Sequence, residues 1–125
     1  MLYLLIGLAG SFGAILRYAL GELFYNPDII FPFPTLIANL LGSFVLAWFT
    51  THIVWKFRLS DEVKAIIGTG FVGSFTTFST LSVETVTLFQ ESHVFLAFLY
   101  IFSSIGGGLV MSRIGFRHRK LEPKR

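Results

Sequence analysis

Four apolar runs, separated by short polar breaks, occupy most of the chain: about 2–24, 35–55, 63–90 and 94–112. A helix needs roughly 20 apolar residues to cross a bilayer. The pattern therefore predicts an all-α membrane protein, one four-helix domain over residues 1–125 with a basic tail over 113–125. No soluble domain or long linker is expected, and no internal repeat or low-complexity segment is evident.

Local chemistry marks the breaks. The first span carries Gly7, Gly10, Ser11, Gly13 and Ala14, and small residues three and four apart let helices approach closely in lipid. Asn26-Pro27 and Phe31-Pro32-Phe33-Pro34 bracket a loop too rich in proline for helix. Thr35 is expected to open the second span as its N-cap, and Trp48, His52 and Trp55 close it with an interfacial signature. Ser60 is expected to cap the third span, with Asp61 and Glu62 in its acidic first turn. A short loop at Glu91-Ser92-His93 leads to the fourth span, where Ser104, Gly108 and Ser112 share one face.

The third span breaks the pattern. At 63–90 it is too long for one straight crossing, and Gly68, Gly70 and Gly73 are expected to break it mid-membrane. Non-helical backbone at that depth persists only when buried in protein or lining a cavity. A broken helix also presents carbonyls and amides that can hold ions.

Composition agrees with lipid as the solvent. The chain is 54% hydrophobic and 14% charged, with a mean hydropathy of +0.72, too apolar for a soluble domain of 125 residues. No cysteine is present, which excludes disulfides, thiol catalysis and thiolate metal sites. Met1-Leu2-Tyr3 lacks a basic n-region, so the first run reads as a retained helix rather than a cleaved signal. The net charge of +3 comes from basic residues flanking spans and does not point to nucleic acid. Lys56, Arg58 and Lys64 fall in the second loop; Arg113, Arg117, Arg119, Lys120, Lys124 and Arg125 fall at the C-terminal end. The positive-inside rule then expects a multi-pass protein of the cytoplasmic membrane with both termini cytoplasmic.

Several residues are candidates for chemistry inside the spans. Thr76, Thr80 and Glu84 are spaced by four, with Ser79 and Thr87 nearby, and read as a polar stripe on one helical face. Single hydroxyls commonly bond back to their own helix. A stripe that ends in a carboxylate beside a helix break reads instead as a path for water or ions, the alternative being that Glu84 sits near the interface and is merely solvated. Asn39 reads either as a bond between helices or as an amide donor to a passing anion. The ring edges of Phe75 and Phe78 carry partial positive charge, although most phenylalanines here pack or face lipid. Arg17 either raises the local anion concentration or snorkels and pairs with Glu22. The enzyme reading is weak: His52, His93 and His118 have no ligand spacing, and no phosphate loop or nucleophile–base pair occurs.

Three segments together resemble the Fluc (CrcB) family of fluoride channels. They are Gly-Ser-Phe-Gly-Ala-Ile-Leu-Arg17-Tyr, Thr35-Leu-Ile-Ala-Asn39-Leu-Leu-Gly, and Gly68-Thr-Gly-Phe-Val-Gly with Thr-Thr-Phe78-Ser-Thr-Leu-Ser-Val-Glu84. The likeness extends over nearly the whole chain, and the third segment is its most specific part. It implies an antiparallel dimer of oppositely inserted subunits, with two fluoride pores along their interface. It also implies a structural Na⁺ held by backbone carbonyls, here those of Gly73 and Thr76. Phe78 would be the pore phenylalanine, with Ser79 and Thr80 leading towards Glu84. Asn39 would be the amide donor with Thr35 nearby, and Arg17 the cation of the first span. Passive fluoride export in such a pore offsets the ion's dehydration only part-way, because a deep well would stop flow.

Two positions depart from the family pattern. A second pore phenylalanine is replaced by Leu81, and a pore-facing serine by Gly108. Phe75 does not compensate, because it precedes the pair. The charge bias also argues against a chain that inserts both ways. One explanation covers all three departures: the chain pairs with an oppositely oriented homologue, and one of the two pores degenerates. The other is a homodimer that tolerates these residues. A small four-helix drug/proton exporter would need a carboxylate inside the first span, where only Glu22 stands near the end. A non-transporting assembly subunit would not need the polar stripe.

Overall fold

The computed structural model describes residues 1–117, and these are helical nearly throughout. Five helices make the four spans: α1 (Leu2–Phe24), α2 (Phe33–Phe57), α3 (61–75), α4 (Phe78–Gln90) and α5 (Val94–Phe116). The third apolar run supplies both α3 and α4. Each span is long and apolar enough to cross a membrane.

Helix α2 begins two residues before the expected start. Pro34 lies in its first turn, where backbone amides have no helical acceptor and proline costs nothing. Thr35 is therefore inside the helix and is not its N-cap; Pro32 precedes the helix and no side chain caps it. At the other end Arg58 adopts a left-handed conformation, with φ 47°. Ser60 caps α3 as its sequence suggests, its Oγ accepting from the Val63 amide at 3.3 Å. Helix α5 continues to Phe116, so Arg113 belongs to its last turn, where a cation complements the helix dipole. Of the expected basic tail, residues 118–125, with His118, Arg119, Lys120, Lys124 and Arg125, lie outside the described part.

The glycines of the third span do not break it. Gly68 and Gly70 lie within a widened, π-helical stretch, Ala65–Val72, and Gly73 is helical with φ −60° and ψ −33°. At Gly70 the absent side chain serves packing instead. A Cβ on Gly70 would lie 2.7 Å from the Ile6 carbonyl, and one on Gly13 would strike the Phe71 carbonyl oxygen. Helices α1 and α3 thus meet backbone to backbone, which is how apolar helices gain contact in a solvent as apolar as themselves. Helices α2 and α5 pair the same way at Gly115, where a Cβ would lie 2.7 Å from that of Ala47.

The enclosed core is small. Leu88, Ala97 and Tyr100 form its centre, with Phe31, Leu36, Leu81 and Leu96 packed around them. The Phe31 ring meets Tyr100 edge-on at 5.6 Å. Most other large apolar side chains point outward, as lipid or a protein partner requires.

Candidate functional site

The third span is interrupted at Thr76 and Thr77, whose backbones are extended, with φ, ψ of −85°, 159° and −151°, 123°. A side chain far away in sequence holds this interruption. Asn39 Nδ2 donates to the Thr77 carbonyl at 3.0 Å, and the Thr77 amide donates to Asn39 Oδ1 at 2.8 Å. The Thr77 peptide groups are thus satisfied as if paired with a strand. Thr77 then caps α4: its Oγ1 accepts from the Thr80 amide at 3.2 Å and donates to Thr80 Oγ1 at 3.1 Å.

Backbone carbonyls at the interruption lose their usual partners as a result, those of Gly73 and Thr76 among them. In an unbroken helix the Gly73 carbonyl would accept from the Thr77 amide, and the Thr76 carbonyl from the Thr80 amide. Those amides are bound instead to Asn39 Oδ1 and Thr77 Oγ1. Hard cations take oxygen ligands, backbone carbonyls among them. Gly73 and Thr76 are therefore chemically suited to hold one. Among the described residues no cluster of three His, Cys, Asp or Glu offers an alternative metal site.

A cleft of about 310 Å³ opens beside the interruption, lined among others by Asn39, Ser43, Gly73, Thr76, Phe78 and Leu81. Asn39 keeps one amide hydrogen beyond the bond to Thr77. Phe78 is 80% exposed, an unusual position for a phenyl ring at the start of a helix. Ser79 is exposed beside it, and Thr80 is half-buried. Leu81 faces two ways, onto the cleft and onto the Leu88–Tyr100 core. Gly108 approaches the cleft wall from α5: a Cβ there would sit 3.6 Å from Ser43 Oγ, an ordinary contact.

The polar stripe is shorter than its spacing suggests. Thr76 lies outside α4, and its hydroxyl bonds back to the Val72 carbonyl at 3.1 Å. The Thr87 hydroxyl also bonds within its own helix, to the Val83 carbonyl at 2.9 Å. The stripe that remains runs from Ser79 and Thr80 to Glu84. Glu84 is bonded on both oxygens: Thr35 Oγ1 donates to Oε1 at 2.7 Å, and Tyr100 Oη donates to Oε2 at 2.8 Å. It also lines a cavity of about 280 Å³ under the loop between α1 and α2. Arg17 is half-buried on α1 and forms no ion pair with Glu22.

Two members of this arrangement escaped the sequence reading. Thr77, immediately before an apolar-periodic run, is of the residue type that caps a helix start. Tyr100 is a phenol in a strongly apolar span, a group whose hydroxyl must find a partner when buried. It is fully buried, and Glu84 is that partner.

Residues 4–116 match the family model described as CrcB-like protein, Camphor Resistance (CrcB). The chain belongs to the CrcB-like family. Its relatives include the fluoride-specific ion channel FluC 1 of Desulfitobacterium hafniense (strain Y51), 58% identical over 87% of this chain and 95% of the relative. The fluoride-specific ion channel FluC 1 of Bacillus cereus (strain ATCC 10987 / NRS 248) is 48% identical over 93% of this chain and 85% of its own length. The fluoride-specific ion channel FluC 2 of Geobacillus kaustophilus (strain HTA426) is 42% identical over 99% of this chain and 97% of its own. The match spans every residue of the interruption and both partners of Glu84. As a CrcB-like chain with four apolar spans, this is a multi-pass membrane protein.

Proposed function

We propose that this protein is a passive, fluoride-selective channel that lets fluoride leave the cell and so limits its toxicity. The observation that carries the reading is the grip of Asn39 on Thr77. It keeps two extended residues and an exposed phenyl ring in a span that would otherwise be continuous helix. A small, strongly hydrated anion needs donors and ring edges to replace part of its water. Asn39 Nδ2, Ser79, Thr80 and the edge of Phe78 are of that kind. Thr35 and Glu84 continue the same path, and Arg17 adds a fixed cation on α1. The names of the relatives supply the choice of ion.

The exposed Phe78 supports a dimer, because a lone chain would leave the cleft open on one side. In an antiparallel dimer the Gly73 and Thr76 carbonyls of the two subunits would converge, and they would hold Na⁺. That ion would offset the charge of the passing anions and tie the two interruptions together. The excess of Lys and Arg in the second loop and at the C-terminal end supports a cytoplasmic position for both termini. With that bias, the second subunit would be an oppositely oriented homologue rather than a copy. Leu81 and Gly108 fit a pair in which one pore has degenerated.

The test is fluoride efflux from liposomes, followed with a fluoride electrode and a chloride control. Fast efflux selective for fluoride is the expected result once a complete dimer is present. If this chain conducts alone, the homologue pairing fails and the channel stands. If it is silent even beside an oppositely biased homologue, the channel reading fails.

A further inference from the structure

A third cavity lies where α2 turns into α3, before the interruption. It is an open cleft of about 510 Å³ lined by Val54, Trp55, Arg58, Leu59 and Lys64. Its chemistry is divided. Val54, Leu59 and the Trp55 ring are apolar, while Arg58 and Lys64 are cations, and no carboxylate is among the lining residues. Asp61 binds Lys64 Nζ at 2.8 Å but is itself turned to solvent, with its side chain 97% exposed. An ammonium has three donors, so two remain for another acceptor. Arg58 makes no ion pair among the described residues. Its left-handed backbone, φ 47°, is a position glycine commonly fills at a helix end, so a large cation stands there against local preference.

We propose that this cavity holds the headgroup of an anionic phospholipid. The two cations would take the phosphate, and the apolar wall would receive the first part of the acyl region. Trp55 belongs to the residue type that settles at the headgroup level. Basic pockets between membrane helices bind anionic headgroups by the same division of labour. A free phosphate could use the cations but not the wall, so the wall favours the lipid.

Native mass spectrometry of the full chain in detergent tests this. The chain is equilibrated with equimolar phosphatidylglycerol and phosphatidylcholine of matched acyl chains. Phosphatidylglycerol should be retained preferentially. Arg58→Asn, which suits a left-handed backbone, and Lys64→Gln should each lower its retention roughly fivefold, the factor expected for one basic residue near an anionic leaflet. Arg58→Lys should keep most of it and covers the case in which Arg58→Asn fails to fold. Lys56→Gln is the control: Lys56 lies over the Phe57 ring at 5.6 Å and does not line the cavity. Equal retention of the two lipids overturns the proposal. An equal loss with Lys56→Gln overturns it too, because the effect would then be general charge. Binding of inorganic phosphate without any preference for phosphatidylglycerol would show a phosphate site and no lipid site.

Discussion

Asn39 binds the backbone of Thr77 on both sides, with its Nδ2 on the carbonyl at 3.0 Å and its Oδ1 on the amide at 2.8 Å. Thirty-eight residues separate the two. This pairing makes extended backbone tolerable at membrane depth, where an unpaired peptide group is costly.

Replacing Asn39 tests the pairing directly. Asn39→Ala leaves two backbone groups unpaired, at roughly 1–3 kcal/mol each. The expected result is a large drop in thermal stability together with loss of fluoride efflux. Asn39→Asp keeps an acceptor for the Thr77 amide and loses the donor to its carbonyl, so its stability should fall between the two. Wild-type stability in Asn39→Ala, measured by melting in detergent, would remove the pairing from the account of the fold.

Phe78 separates packing from permeation. Its ring is 80% exposed in the single chain, so Phe78→Leu should leave folding of the chain unchanged. Leucine preserves apolar bulk and lacks the polarised ring edge. Efflux should fall by about tenfold or more, which corresponds to roughly 1.4 kcal/mol in the barrier. Unchanged efflux in a correctly assembled sample would remove the ring from the pathway.

Glu84 accepts hydrogen bonds from Thr35 and Tyr100, one on each oxygen. Bonds to a charged group contribute about 1.5–3 kcal/mol each. Tyr100→Phe removes one of them with little change of shape and should destabilise by about that amount. In Glu84→Gln the oxygen keeps one hydroxyl donor while the amide NH₂ faces the other, so the loss should be at least as large. A double-mutant cycle on melting temperature checks the coupling: additive losses would mean the bond contributes nothing.

Gly13 and Gly21 lie on the same helix in opposite surroundings. A Cβ on Gly13 would strike the Phe71 carbonyl oxygen, whereas one on Gly21 would meet nothing within 4 Å. Gly13→Ala must push α1 off α3 and should cost about 1–3 kcal/mol, the range for overpacking. Gly21→Ala should be neutral or stabilise by up to about 1 kcal/mol through helix propensity. Equal melting temperatures for the two variants would contradict the close approach of α1 and α3.

Gly108→Ser fits without displacing a neighbour, since its Cβ would lie 3.6 Å from Ser43 Oγ. Combined with Leu81→Phe it changes both positions that the proposed function assigns to a degenerate pore. If those two residues silence one pore, the double variant should raise fluoride efflux from the assembled protein about twofold, and single-channel recording would find a second conducting level. No second level would mean that these positions do not limit the pore.

Much of the molecule was legible in the sequence because it depends on neighbours along the chain. The spans follow from the length of the apolar runs, the cap at Ser60 from one hydroxyl before an acidic turn, and the charge bias from the positions of Lys and Arg. The break was legible only in part. The glycines at 68, 70 and 73 drew attention to the correct span, but they remain helical, and Gly70 serves contact with α1. Spacing alone could not show this, because a glycine that loosens a helix and one that admits a neighbour look alike in sequence.

The apolar runs by themselves determined that this chain folds as helices in lipid, since backbone in hydrocarbon must satisfy its own hydrogen bonds. Only the tertiary structure decided where the third span breaks and what Glu84 holds. Both rest on bonds between spans, Asn39 to Thr77 and Tyr100 and Thr35 to Glu84. A side-chain amide or phenol can satisfy many partners, and which one it meets is fixed by how the helices pack.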